Sequence, residues 1–262
     1  MSVSLNKIEN EFSSSEQHID NDVDLSSFAS FLQSFPLQGE QLYATLFDRH
    51  ANVVQTQKAR FAVANLEKVL TATFEISSKS GFDKMSLRDL SKRTGMSMGA
   101  IYSCISKKED IAMMVSDIVQ LSSDLTRQHA MKANTIWSQI EQSIRYHLYA
   151  SSLLQPWYFF LYFETRSLPV KQQAESKQIE MGAIDGFTNQ IEAGVKTGEF
   201  KTENARMVAN TVVVLLEDWY LKPWKNHSLN SGSRKNQEQA IDNYYQSLIA
   251  VVKKLLVVEK SS

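Results

Sequence analysis

The stretch from Ser86 to Lys108 constrains the fold more than any other part of the chain. Ser86-Leu-Arg-Asp89 has the spacing of a capping box, in which a serine hydroxyl and an acid three residues on satisfy free backbone donors at a helix start. Gly95 follows soon after, and glycine ends helices because it enters the left-handed region without steric cost. Ser97 then offers a second N-cap, an interaction of about 1 kcal/mol. The sequence therefore has room for one short helix, a tight turn, and a second short helix from Met98 to about Cys104. Ile101 and Ile105 share a face with Met96, which leaves Met98, Gly99, Tyr102 and Ser103 on the outer side. Two short helices joined by a glycine turn make a helix-turn-helix, whose second helix is suited to the DNA major groove.

The residue types in this stretch fit that task. Gly99 and Ala100 are small and let the backbone approach DNA. Tyr102 carries a hydroxyl that reaches a phosphate oxygen. Lys107 and Lys108 stand at the start of the next helix, where the positive dipole end also favours phosphate. Lys92, Arg93 and Ser103 complete the expected contacts. From Lys58 to Asp110 ten bases face six acids, net +4, whereas the first 57 residues carry eight acids against Lys7 and Arg49, net -6. The formal net charge of -1 thus hides a basic segment where DNA would sit.

SGFDKMSLRDLSKRTGMSMGAIYSCISKKEDI, with VLTATFEI upstream, resembles the N-terminal domain of the TetR (tetracycline-repressor-like) family of bacterial transcriptional regulators, over roughly residues 58–115. Gly81-Phe82, Ser86, Leu90, Gly95, Ser97, Gly99, Tyr102, Lys108, Glu109 and Ile111 agree together. The resemblance implies an all-α protein, with a three-helix DNA-binding domain over 58–115 and a helical ligand-binding and dimerisation domain over 116–262. It implies that Ser86 caps the helix touching the DNA backbone, that Met98 and Gly99 begin the recognition helix, and that Tyr102 and Lys108 contact phosphate. Ala100 stands where a threonine is frequent, Cys104-Ile105 where His-Phe is common, Ser77 where a large apolar residue is usual, and Lys107 where a small polar residue is found. Met98 makes no bidentate base contact, so specificity leans on other residues or on DNA shape. The partners implied are a double-stranded DNA operator, a small-molecule inducer and a second copy of the chain.

Residues 1–35 are rich in Ser, Asn, Asp and Glu and read as a disordered acidic arm. Residues 36–57, with Leu42, Tyr43, Leu46 and Phe47, read as an extra helix or linker. Beyond Ile111 a series of longer amphipathic helices runs to about Val258. Trp157–Arg166 is strongly aromatic. With Trp137, Tyr146 and Tyr149, its Trp157, Phe160, Phe163 and Arg166 could wall an apolar cavity, against the ordinary alternative of core packing. FETRSLP and EDWYLKPW are similar to the C-terminal domains of family members that sense acyl-CoA molecules, which implies a lipophilic or acyl-type inducer. The last two long helices carry wide apolar stripes. Val212, Leu216, Trp219, Tyr245, Leu248 and Val252 are the expected dimer contacts, some of the stripe being buried within one chain.

An enzyme finds little support. The five histidines show no metal spacing, Cys104 belongs to no triad, and no glycine-rich phosphate loop is present, so no metal or cofactor is expected. One cysteine and no apolar run of about 18 residues point to a cytoplasmic protein. The second reading kept open is a helical ligand-binding protein that no longer binds DNA.

Overall fold

The computed structural model describes residues 23–55, 59–227 and 234–256, and every regular element among them is helical. The helices are α1 (Phe28–Ser34), α2 (Gly39–Arg49), α3 (Ala59–Ser80), α4 (Leu87–Thr94), α5 (Met98–Tyr102), α6 (Lys108–Ala130), α7 (Ile136–Leu153), α8 (Gln155–Glu164), α9 (Val170–Thr197), α10 (Ala205–Leu221), α11 (Pro223–His227) and α12 (Arg234–Leu256). A 3-10 turn over Thr165–Ser167 follows α8. Caps account for many of these boundaries. Ser27, Thr135 and Asn204 accept backbone N–H groups at the starts of α1, α7 and α10. Gly198 ends α9 in the left-handed region, at φ 77°.

Helices α3, α4 and α5 close on a small apolar centre in which Leu66, Leu70, Leu90, Ile101, Cys104 and Ile105 are buried. Helix α6 then leaves this head and becomes the central strut of the body. It packs against α7, α8 and α9; α10 lies along α9, and α12 covers α7. The expected division at 115/116 falls inside α6, whose buried residues run from Asp110 to Ala130. Head and body also meet through aromatic rings. Phe74 of α3 lies 5.3 Å from Trp157 and 5.8 Å from Phe160, and Phe82 lies 5.0 Å from Phe160. The Glu164 carboxylate accepts the Phe82 N–H at 2.9 Å.

The expected disordered arm over 1–35 needs correction at its C-terminal end; residues 1–22 lie outside the described residues. From Val23 onward the chain is packed. Phe28, Phe31 and Phe35 are buried, and Phe31 stands edge-on to Tyr146 at 5.4 Å. Phe28 N–H donates to Asp242 of α12, and Arg145 of α7 donates to the Leu25 carbonyl at 2.7 Å. The acidic composition of the segment as a whole concealed the three phenylalanines, spaced closely enough to form one apolar face.

Candidate nucleic-acid interface and ligand cavity

In the head the caps form as the spacing predicts. Ser86 Oγ accepts the Asp89 N–H, and the Asp89 carboxylate accepts the Ser86 N–H at 2.9 Å. The same carboxylate takes the Ser86 O–H, and these bonds hold it below the ordinary aspartate range. Gly95 is left-handed at φ 71°, and Ser97 Oγ accepts the Ala100 N–H at 3.2 Å. The Ser91 hydroxyl ties the turn to α4 by donating to the Met96 carbonyl at 2.6 Å.

The outer face of this unit is open. Ser97 and Gly99 are exposed, Met98 and Ala100 are half-buried, and Tyr102 is 48% exposed at the end of α5. Lys84, Arg88, Lys92 and Lys107 are exposed nearby. Three expected contacts are engaged elsewhere. Lys108 Nζ donates to the Phe82 and Asp83 carbonyls at 3.1 and 2.9 Å and lies 5.1 Å from the Phe82 ring centre. It therefore binds carbonyls just beyond the C-terminal end of α3 rather than standing free for phosphate. Arg93 pairs with Glu75 of α3. The Ser103 hydroxyl bonds back to the Ala100 carbonyl at 2.7 Å. A one-dimensional charge count cannot see such pairings.

The body holds a cavity of about 60 Å³ among α6, α7, α8, α9 and α10. Pockets for drug-sized ligands are commonly about 300–1,000 Å³, so this one suits a small group. Val119, Leu161, Ile179, Ala183 and Val213 supply its apolar wall; Tyr158, Tyr162 and Tyr220 line it with rings, and His147, Glu180 and Glu217 bring titratable groups. Burial pushes Glu217 up to about 7, and the negative charge of Glu180 adds to the shift. Burial likewise pushes His147 down to about 4, so its imidazole is neutral at neutral pH.

None of the residues expected to wall the cavity does so. Trp157 and Phe160 face α3 on the other side of α8, with Tyr43 as a further neighbour of Trp157 at 6.3 Å. Tyr146 and Tyr149 are buried under α1, and the Tyr149 hydroxyl bonds Asp242. Trp137 packs on Phe200, 6.2 Å between ring centres. Phe163 and Arg166 line a polar surface groove beside residues 77–84. Helical rotation explains the miss. Tyr158, Leu161 and Tyr162 interleave with Trp157 and Phe160 in one aromatic run, and both faces of α8 are apolar. Glu217 is not among the residues expected to wall the cavity. The signal that could have found it is Val213, Glu217 and Tyr220 at helical spacing on one face of α10.

The expected dimer contacts are also largely internal. Val212, Leu216, Tyr245, Leu248 and Val252 are buried within the chain. Trp219 stacks on Tyr244 at 4.7 Å and donates to Ser152 Oγ at 2.8 Å. Met207 and Val214 of α10, and Val251 and Leu255 of α12, are exposed instead. Among the described residues no group of three or more His, Cys, Asp and Glu could hold a metal ion. No helix among them is long and apolar enough to cross a membrane.

No family model matches the chain, and no curated protein sequence does. Solved structures share its fold. A regulatory protein of the TetR family from Rhodococcus RHA1 aligns with a TM-score of 0.57 at 18% identity, over 72% of this chain and 96% of its own. FadR from Bacillus subtilis, a transcriptional regulator solved with stearoyl-CoA, aligns at 0.53 and 14% identity, over 70% and 97%. AibR, solved with isovaleryl coenzyme A and operator DNA, aligns at 0.56 and 13% identity, over 71% and 98%.

Proposed function

We propose that this chain is a DNA-binding transcriptional regulator of the TetR type, a repressor that leaves a palindromic operator when a small lipophilic ligand enters the body. One observation carries the reading. The helix-turn-helix is capped at both starts and turned by a left-handed glycine, and it presents Ser97, Gly99 and Tyr102 on an open face flanked by unburied lysines and arginines. The shared fold with the operator-bound AibR structure supports it. In this reading Lys92, Lys107 and Tyr102 touch phosphate, Ser97 presents the start of α5, and Lys108 positions the head rather than contacting DNA.

A dimer supplies the second head. The exposed Met207, Val214, Val251 and Leu255 replace the buried stripe as its contact surface. Helix α6 carries the signal, because it starts in the head and lines the cavity at Val119 and Ser123. A ligand that displaces α6 relative to α8 and α9 changes the spacing of the two heads.

Selection of bound duplexes from a random pool, followed by a salt series on the winner, tests this. An enriched palindrome whose affinity falls steeply with salt is expected. Failure to bind any duplex at low salt would leave a ligand-binding protein without a DNA role.

A further inference from the structure

The cavity is lined by a half-buried carboxylate, Glu217, beside three tyrosines, of which Tyr158 and Tyr220 are buried. No hydrogen bond or ion pair engages Glu217 among the described residues. Among the described residues no lysine or arginine lines the cavity. Tyr158 and Tyr220 sit with ring centres 5.1 Å apart, tilted by 54°, and Tyr162 lines the same space. A carboxylate partly withdrawn from water gains from a cationic partner, because its hydration is incomplete and charge removed from water is costly without one. Rings around a cation supply attraction through their electron-rich faces, and such cages suit quaternary ammonium groups. The small volume fits a head group of that size better than a long chain or a nucleotide.

We propose that the cavity recognises a small organic ammonium ion bearing a short apolar arm, with Glu217 as its counter-ion and Tyr158, Tyr162 and Tyr220 as its cage. The proposal rests on the reading of this cavity as the regulator's ligand site. An anionic ligand finds no cation among the described lining residues and meets Glu217 and Glu180. The groups facing Glu217 are Glu180 from α9, His147 from α7, Tyr158 and Tyr162 from α8, and Tyr220 from its own helix; α6 contributes only Val119 and Ser123. None is a cation at neutral pH, since His147 is held neutral by burial. The ammonium ion binds the ionised carboxylate, so its binding releases a proton from whatever fraction of Glu217 is protonated, and affinity rises with pH through neutrality.

The experiment is calorimetric titration of the full chain, without DNA, with hexyltrimethylammonium, 1-hexanol and hexanoate. The cation is expected to bind at least tenfold more tightly than either comparator, and more tightly at pH 8 than at pH 6. Glu217→Gln, an isosteric change whose folding is checked by its melting curve, is expected to lower cation affinity at least tenfold and to flatten the pH dependence. Tyr162→Leu is expected to weaken the cation more than the alcohol. Equal binding of hexanoate, no binding of the cation, or an unchanged Glu217→Gln affinity would overturn the proposal. A chain that binds operator but not the cation keeps the regulator reading and loses this one. A chain that binds the cation but no duplex does the reverse.

Discussion

Arg49 grips Asp117 with two donors, Nε at 2.7 Å and Nη2 at 2.6 Å, one to each carboxylate oxygen. His50 Nε2 lies 3.0 Å from the same carboxylate. The relationship joins the last turn of α2, which packs on the head's α3, to the strut α6. The chain ahead of the head is thus a strap. Its first helix holds the body through Tyr146, Tyr149 and Asp242, and its second holds both α3 and α6.

Asp117→Asn should loosen this strap. Burial alone would raise the Asp117 pKa, but the bonds from Arg49 and His50 outweigh it and hold the carboxyl well below the usual range. A depressed carboxylate stabilises the fold above its unfolded pKa of about 3.9, and that stability is lost as pH falls toward the folded value. The expected loss at pH 7 is about 1.5 kcal/mol, the low end for bonds to a charged group. The Arg49 side chain is 40% exposed and partly screened. Denaturant melts at pH 7 and pH 2.5 check it: the difference between wild type and variant should be full at the first and clearly smaller at the second.

Tyr102→Phe removes a hydroxyl from the open face of α5 and leaves the fold intact. Operator affinity should fall about tenfold or more, since a bond to a charged phosphate contributes roughly 1.5–3 kcal/mol. Equal operator affinity for variant and wild type in a mobility-shift titration would remove Tyr102 from the contact set.

Glu217→Gln should raise the melting temperature at pH 8 and leave it nearly unchanged at pH 5. The folded pKa of Glu217 is raised to about 7, so the folded chain holds a proton the unfolded chain gives up near 4.5. Stability from this group is therefore lost as pH rises between those values. The variant carries no charge to bury. A gain of about 2–4 °C at pH 8 is expected for a body of this size. Scanning calorimetry at the two pH values decides it.

Gly194→Ala should be strongly destabilising. A Cβ there would lie 2.0 Å from the Phe200 ring, and Phe200 is itself buried. The Glu199 and Phe200 N–H groups both donate to the Gly194 carbonyl, so the ring has little freedom to retreat. A loss of about 1–3 kcal/mol is expected from overpacking, read from denaturant melts. The double variant Gly194→Ala with Phe200→Leu should recover part of it.

Val214→Glu tests the dimer surface. Val214 is exposed on α10, so the change should leave the monomer folded. Sedimentation should show a shift to monomer, with operator affinity falling at least tenfold because two heads no longer act together. Unchanged sedimentation would place the dimer contact elsewhere.

The sequence by itself determined the parts whose physics is local. Ser86 with Asp89, Gly95 and Ser97 set the ends of α4 and α5 through bonds that reach three or four residues, and these survive unaltered in the fold. The apolar spacing set most of the helices. Tertiary structure alone decided what each helix face meets. Helix α8 is apolar all round, so periodicity could not say that Trp157 and Phe160 turn to the head while Tyr158 and Tyr162 turn to the cavity. Helices α10 and α12 bury the very stripes that looked free for a partner, because α7 and α1 also need covering. Lys108 illustrates the same limit at one residue. Its charge was legible, but the two carbonyls that hold it lie 25 and 26 positions away, a distance only the folded chain closes.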